Sequence, residues 1–260
     1  MDFLHLEKEY AVHVYETGPD GKLSLHSLFD YLQDAASDHA VSLGYGRDDL
    51  MKSNNFWVLS RIYGEIKKLP GWSEKISVKT WPRGTDKLFA LRDFEVRDSG
   101  GNLIALATSS WLIIDITTRR IQRPDSTLIR YKDANLGGNA LPRNANRLEP
   151  AGIDGQGDTH HRVRVSDLDV NLHTNNVRYL KWVTDFYALD FVMNHVPVST
   201  EINYIAESRY NEDVTIRTSG AAENPDIFDH SVLREADSAE LCRIRIAWKE
   251  MGMDGKTDKA

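Results

Sequence analysis

Apolar and polar positions alternate along residues 9–16, where Tyr10, Val12 and Val14 share one side of a strand-like segment. After the turn-forming run Thr17-Gly18-Pro19-Asp20-Gly21 the period changes. Leu25, Leu28, Leu32, Ala35 and Ala36 recur at helical spacing behind the capping residue Ser24, which predicts a helix to about Leu43. Gly44-Tyr45-Gly46 ends it, and a short second helix is expected over Arg47–Lys52. Strand-like runs follow at 56–67, 75–81, 88–97 and 103–116. The last two are separated by the hairpin signal Ser99-Gly100-Gly101-Asn102.

From Gln122 to about Gly157 the periodicity fades into polar sequence punctuated by Arg123-Pro124, Gly137-Gly138, Leu141-Pro142 and Glu149-Pro150, which reads as a long surface connection. Beyond it the first pattern recurs. Arg162–Val165 alternates as a strand, and a polar loop covers 166–174. A helix capped by Asn175 or Asn176 is predicted to about Asn194, and strands are predicted at 200–208, 212–219, 228–236 and 240–249. Lys75-Ile76-Ser77-Val78-Lys79-Thr80 aligns with Asp213-Val214-Thr215-Ile216-Arg217-Thr218, and the last strand of each set ends on tryptophan, Trp111 and Trp248. The chain therefore reads as a duplication. The first copy covers residues 1–121, the connection 122–157 and the second copy 158–250, with a disordered tail over 251–260.

A long helix followed by an antiparallel meander predicts an α+β unit with the helix wrapped by the sheet. Such a helix has to be apolar around much of its circumference. Val177, Tyr179, Leu180, Trp182, Val183, Phe186, Tyr187, Leu189 and Phe191 supply that in the second copy. This is a hot-dog layout, and two copies make a tandem, or double, hot dog.

Composition narrows the function. The 260 residues are 41% hydrophobic and 27% charged, the make-up of a water-soluble globular protein with ample core. No apolar run reaches the length of a membrane span. The start, Met1–Glu9, has neither secretory nor transit character, which points to the cytoplasm. A single cysteine, Cys242, excludes an internal disulfide and a cysteine metal cluster. The net charge of −7 argues against a broad nucleic-acid footprint, though not against a local basic patch for an acidic protein. The neighbours His160 and His161 point apart in a strand with no third ligand at useful spacing, and neither a phosphate loop nor a G-x-S-x-G elbow occurs. The reading calls for no metal and no cofactor.

The candidate chemistry lies in Ser166-Asp167-Leu168-Asp169-Val170-Asn171-Leu172-His173-Thr174-Asn175-Asn176. In an extended segment Asp169, Asn171 and His173 share a side, with Val170 and Leu172 opposite. Asp169 and His173 would then be roughly 13 Å apart, so the loop has to curl for them to meet at one atom. A polar turn capping a helix is the plain alternative. The triplet is missing from the first copy, whose equivalent loop is taken as Asp20–His26, so chemistry is assigned to the second half and much of an apolar pocket to the first. Leu28, Leu32, Ala35, Phe56 and Trp57 are the lining candidates.

The loop through Tyr179, Trp57-Val58-Leu59-Ser60-Arg61 and Asn203-Tyr204-Ile205-Ala206-Glu207-Ser208 resemble the acyl-acyl-carrier-protein thioesterases of plants and bacteria, over about residues 4–249. The resemblance implies a double hot-dog fold and hydrolysis of the thioester joining a fatty acyl chain to the phosphopantetheine of acyl carrier protein (ACP), releasing free fatty acid. It implies a catalytic set of Asp169, Asn171, His173 and, on a following strand, Glu207. Many plant members carry a cysteine after that glutamate; Ser208 stands here, which disfavours a cysteine mechanism. No plant-type N-terminal extension is seen, so a bacterial-type member is expected.

Thioester hydrolysis needs an activated water or carboxylate nucleophile and donors for the oxyanion. Either Asp169 or Glu207 can serve as base, with His173 and Asn171 organising the site and the backbone near Asn175–Val177 facing the oxyanion. Arg178, Lys181, Arg209 and Arg217 are candidate contacts for the carrier protein. Three alternatives share the same thioester substrates. One is a hot-dog hydratase or dehydratase, disfavoured because its loop is one residue longer and contains proline. The others are an acyl-CoA thioesterase and a non-catalytic acyl or carrier-protein binder. Monomer and homodimer both fit.

Overall fold

A computed structural model describes residues 5–124, 138–153, 157–221 and 224–252. The chain divides into two compact units, one of Met1–Thr17 with Gly21–Arg147 and one of Gly18–Asp20 with Leu148–Ala260.

In the first unit β1 (Leu6–Ala11), β2 (Asn55–Ile66), β3 (Lys75–Asp86), β4 (Phe89–Asp98) and β5 (Leu103–Asp115) form an antiparallel sheet in the order β1-β3-β4-β5-β2, with β6 (Ile121–Gln122) on β5. Helix α1 (Leu25–Ser42) starts where the Ser24 hydroxyl accepts from the Ser27 N–H, satisfying one of the helix's open donors. Leu28, Phe29, Leu32, Ala35 and Ala36 are buried on it, and Phe29 lies over β2, where a side chain at Gly64 would meet its ring at 3.3 Å. Helix α2 (Arg47–Lys52) follows. The strand expected over 9–16 ends at Ala11, and Val14–Glu16 forms a 3-10 turn with Val14 and Tyr15 exposed.

The second unit holds β7 (Gly157–Arg162), β8 (His195–Tyr204), β9 (Asp213–Ala221), β10 (Asn224–Arg234) and β11 (Glu240–Glu250), ordered β8-β11-β10-β9-β7. Its first strand ends at Arg162 rather than running through 162–165, and a 3-10 turn covers Val165–Asp167. The single helix expected over 176–194 is two, α3 (Asn176–Thr184) and α4 (Leu189–Asn194), because Ala188 adopts extended backbone. The break lets Tyr187 turn inward. Its ring packs on Phe191, Phe228 and Trp248, and its hydroxyl meets His230 Nε2 at 2.8 Å.

The expected surface connection is in part core. Leu141, Ala145, Leu148 and Ala151 are buried. In the first unit the Trp81 indole donates to the Gly138 carbonyl and the Ala140 N–H to Asp93. In the second unit the Leu148 N–H donates to Asn203 and the Ala151 N–H to Ser231. Irregular backbone can lie against a sheet only when its polar groups are met in this way. Residues 125–137 and 154–156 of that stretch, and most of the tail (253–260), fall outside the described residues. Among those described, no helix is long and apolar enough to cross a membrane.

His230 gives the second unit a testable acid response. Between Tyr187 and Thr218, burial pushes its pKa down from 6.5 to about 3. Below pH 6.5 the unfolded chain takes up a proton that the folded chain refuses. Stability from this residue is therefore complete above pH 6.5 and falls by about 1.4 kcal/mol per pH unit from there towards pH 3. Denaturant unfolding against pH, compared with His230→Phe, checks this: the variant is less stable near neutrality but lacks that share of the acid slope.

Candidate active site

Residues 168–174 do not run extended. Leu168 bridges Thr174, the Asp169 N–H donates to the His173 carbonyl at 2.8 Å, and the Leu172 N–H donates back to the Asp169 carbonyl at 3.1 Å. The turn closes because Leu172 adopts left-handed backbone (φ 62°). Asp169 holds it from inside. One carboxylate oxygen accepts from the N–H groups of Asn171 (2.8 Å) and His173 (3.3 Å), and the other from the Asn171 amide (3.3 Å). The curl that the chemistry requires is thus supplied by the aspartate itself. Val170 and Leu172, expected to point away from the polar set, are 82% and 71% exposed.

The turn is anchored to the segment after β8. His173 bridges Arg209, and the Thr174 N–H donates to the Ser208 carbonyl at 2.9 Å. This puts His173 Nε2 3.3 Å from a carboxylate oxygen of Glu207, both side chains retaining access to solvent. Glu207 sits on a loop, since β8 ends at Tyr204, and not on the strand expected there. Arg234 fixes the loop by donating to the Glu207 carbonyl at 2.7 Å while pairing with Glu212 and Asp237. The fully buried Ser208 meets Thr174 Oγ1 at 2.7 Å and the Tyr179 hydroxyl at 2.8 Å. Burial pushes the Tyr179 phenol up to about 12, so it stays neutral. Ser208 ties the turn to the first turn of α3.

Behind the turn lies a carboxylate clamp that residue-by-residue reading missed. Asp167 accepts the Arg164 N–H at 2.7 Å and the Trp182 indole at 3.3 Å, with His161 Nε2 at 3.1 Å and its ring 4.4 Å from Trp182. The first half repeats the device. Glu16 accepts the His13 N–H at 2.8 Å and the Tyr31 hydroxyl at 2.6 Å, and Tyr10 stacks on Tyr31 at 4.4 Å. Burial disfavours the Glu16 carboxylate, but these hydrogen bonds outweigh it and hold its pKa below the ordinary value. The helix caps match as well: the Ser24 N–H donates to the Glu16 carbonyl and the Asn175 N–H to the Asp167 carbonyl.

These contacts correct the alignment of the halves. Thr17 bridges Leu23 and Lys22 bridges Gly71, as Leu168 bridges Thr174 and His173 bridges Arg209. Gly18, Asp20 and Lys22 therefore stand where the second half has Asp169, Asn171 and His173, two residues earlier than the Asp20–His26 equivalence. Leu69 stands for Glu207. The scaffold is duplicated, and the Asp169, Asn171, His173 and Glu207 side chains are not.

Two further expectations change. The backbone at Asn175 and Val177 is not open to an oxyanion: the Asn175 N–H donates to Asp167 and the Val177 N–H to the Asn175 side chain. Of the pocket candidates, Leu28, Leu32 and Ala35 are buried on α1. Phe56 and Trp57, neighbours on a strand, face opposite ways: Arg119 lies over Phe56, while the Trp57 indole donates to the Tyr45 carbonyl and packs on Trp111. Of the candidate carrier contacts, Arg217 pairs with Asp158, while Lys181 and Arg209 are exposed. His160 pairs with Glu235 and His161 with Asp167.

A family model described as the acyl-ACP thioesterase N-terminal domain matches residues 4–129, and one described as the C-terminal domain matches 153–250. The chloroplastic oleoyl-ACP thioesterase of Coriandrum sativum is 26% identical over 84% of this chain, which spans only 63% of that relative's length. An acyl-ACP thioesterase of Bacteroides thetaiotaomicron superposes with a TM-score of 0.85 at 24% identity, over 94% of this chain and 98% of that one. The 12:0-ACP thioesterase of Umbellularia californica gives 0.84 at 24%, over 95% and 98%. These likenesses show the α+β double hot-dog fold.

Leu172 carries a cost that the first half avoids by using Gly21 (φ 75°) at the same place. Leu172→Gly is expected to raise unfolding stability by about 0.5–1 kcal/mol, the relief of left-handed strain exceeding the added freedom of the unfolded chain. The midpoint of a urea titration reads this, and a lower midpoint would contradict it.

Proposed function

The chain belongs to the acyl-ACP thioesterase family, and from that premise we propose that it hydrolyses fatty acyl thioesters of acyl carrier protein, releasing free fatty acid and carrier thiol. The observation that carries the reading is the His173–Glu207 pair at 3.3 Å, held beside Asn171 by the Asp169-centred turn. Asp169 accepts three hydrogen bonds within the turn, which commits its carboxylate to holding the turn and suits it to positioning. Glu207, in contact with His173 and solvent, takes the role of base: it draws a proton from water as the oxygen attacks the thioester carbonyl. His173 orients the carboxylate, takes over the proton that Glu207 drew from water, and passes it to the departing sulfur as the C–S bond breaks. The Asn171 side chain can polarise the carbonyl without titrating.

In this reading the second half carries the chemistry and the first half, through Leu28, Leu32 and Ala35 of α1, receives the acyl chain. The exposed Lys181 and Arg209, with Arg178 in the first turn of α3, offer positive charge to an acidic carrier protein. A cytoplasmic setting belongs to the same reading and is supported by the lone, buried, unpaired Cys242.

Thiol release from a chain-length panel of acyl-ACP and acyl-CoA substrates tests the proposal. His173→Ala and Glu207→Gln are expected to lower kcat by about 10²–10⁴-fold with folding intact. Full rates in both variants, or enoyl products in place of free thiol, would overturn it.

A further inference from the structure

Glu207 is exposed on its loop, so little packing aims its side chain and the backbone has to do so. The peptide that joins Glu207 to Ser208 is held on both edges. Its carbonyl accepts from Arg234 Nη2 at 2.7 Å, and its N–H donates to the Tyr179 hydroxyl at 3.1 Å. Carbonyl and N–H point to opposite sides of one planar unit, so the two holds together resist its rotation about the Glu207 Cα–C bond. That sets the direction of the Glu207 Cα–Cβ bond and with it the reach towards His173. Arg234 can act as a fixed point because the rest of its rigid fork is committed. Nε meets Glu212, just before β9, at 3.0 Å, and Nη1 meets Asp237, in the turn between β10 and β11, at 3.0 Å.

The first half keeps the loop and omits both holds. Glu74 accepts the Gly71 N–H at 3.1 Å just as Glu212 accepts the Arg209 N–H at 3.1 Å, so the turn itself is duplicated. At the place of Glu207 stands Leu69, which is buried and is held by packing. Pro70, in place of Ser208, has no N–H to donate, and Leu28, in place of Tyr179, has no hydroxyl to receive one. Asp98 pairs with Ile76 as Arg234 pairs with Val214, which makes it the counterpart of the arginine. It serves its own hairpin instead, accepting the N–H groups of Gly100 and Asn102. A half therefore folds without an arginine at this position. Arginine and hydroxyl occur together in the half that carries Asp169, Asn171, His173 and Glu207.

We propose that Arg234 is a positioning residue for thioester hydrolysis: by gripping the Glu207 carbonyl opposite Tyr179, it keeps the Glu207 carboxylate within reach of His173 Nε2. It acts through Glu207 and not on the substrate. The inference rests on the reading of Glu207 as the base. A reacting group misplaced by about 1 Å costs on the order of 10²-fold in rate, so a hold on one peptide is felt in turnover. The two ion pairs of Arg234 are partly exposed and contribute little to folding, which lets the role be separated from stability.

The test compares the full-length wild type, Arg234→Ala, Glu207→Gln and the double variant on one acyl-ACP substrate. Arg234→Ala is expected to lower kcat by about 10–100-fold while KM stays within about twofold. Added to Glu207→Gln, the same change is expected to cost less than about threefold more, because its effect runs through a carboxylate already removed. Arg234→Lys, which keeps the charge beside Glu212 and Asp237 but not the fork, takes its place with the same expectations if the alanine variant folds poorly. A kcat within about twofold of wild type, a loss confined to KM, or a full loss repeated in the Glu207→Gln background would overturn the proposal. If the wild type releases no thiol, or Glu207→Gln keeps the full rate, the reading of the site fails on its own. The crystal structure of the arginine variant then decides. His173 Nε2 and the Glu207 carboxylate more than about 4 Å apart would support the hold, and an unchanged contact at 3.3 Å would refute it.

Discussion

One carboxylate per half, the half-buried Glu16 and the buried Asp167, organises what lies around it. Each accepts a backbone N–H from the residue that enters the 3-10 turn and an aromatic donor from the helix, Tyr31 or Trp182. Each is followed by a turn whose exit returns an N–H to the same residue's carbonyl. Strand end, turn and helix start are thereby fixed as one body. Charge-assisted hydrogen bonds shielded from water are strong enough to set such geometry. The turn over 168–174, which carries His173 to Glu207, starts and ends on this body.

The duplication repeats the scaffold without repeating the polar set. Both halves build the clamp, the cap and the left-handed turn, but only the second places a carboxylate, an amide and an imidazole on the turn and a glutamate beside it. Ser208 illustrates the difference between position and role. Next to Glu207 in sequence, it is spent on Thr174 and Tyr179, holding the turn to the helix. Leu172 points the other way. It accepts strain and exposure where the first half uses glycine, which is the behaviour expected at a functional site rather than in a structural turn.

Much of this was legible in the sequence wherever a period was long enough to count. The apolar spacing from Leu25 to Ala36 located α1, and the likeness of Lys75–Thr80 to Asp213–Thr218 marked two strands whose starts coincide with β3 and β9. The Asp169, Asn171 and His173 triplet was visible as a cluster. Its curl was not, because the turn closes through the pairing of Leu168 with Thr174 and the left-handed Leu172, and the Asp169 carboxylate then accepts N–H groups two and four residues ahead. Polar letters in a turn carry no register, whereas the clamp and cap do, so the equivalence of Gly18, Asp20 and Lys22 with Asp169, Asn171 and His173 is visible only in the structure. The helix break at Ala188 was hidden by an unbroken apolar spacing, and what it serves, the meeting of Tyr187 with His230, is a contact across 43 positions. Arg92 was hidden for a simpler reason. In Leu91-Arg92-Asp93-Phe94 two adjacent charges look like solvent-facing positions, yet they face opposite sides of the sheet, Arg92 meeting His39 and Thr80 and the buried Asp93 meeting Arg83 and the Ala140 N–H.

The claim that four side chains on a duplicated scaffold make the second half reactive is tested most directly by giving that half the first half's residues. The variant combining Asp169→Gly, Asn171→Asp, His173→Lys and Glu207→Leu should keep its fold, by circular dichroism and a cooperative melt, because clamp, cap and turn remain. Its rate of acyl-ACP hydrolysis should fall to the uncatalysed level. A folded variant that still released carrier thiol at the parental rate would contradict the account.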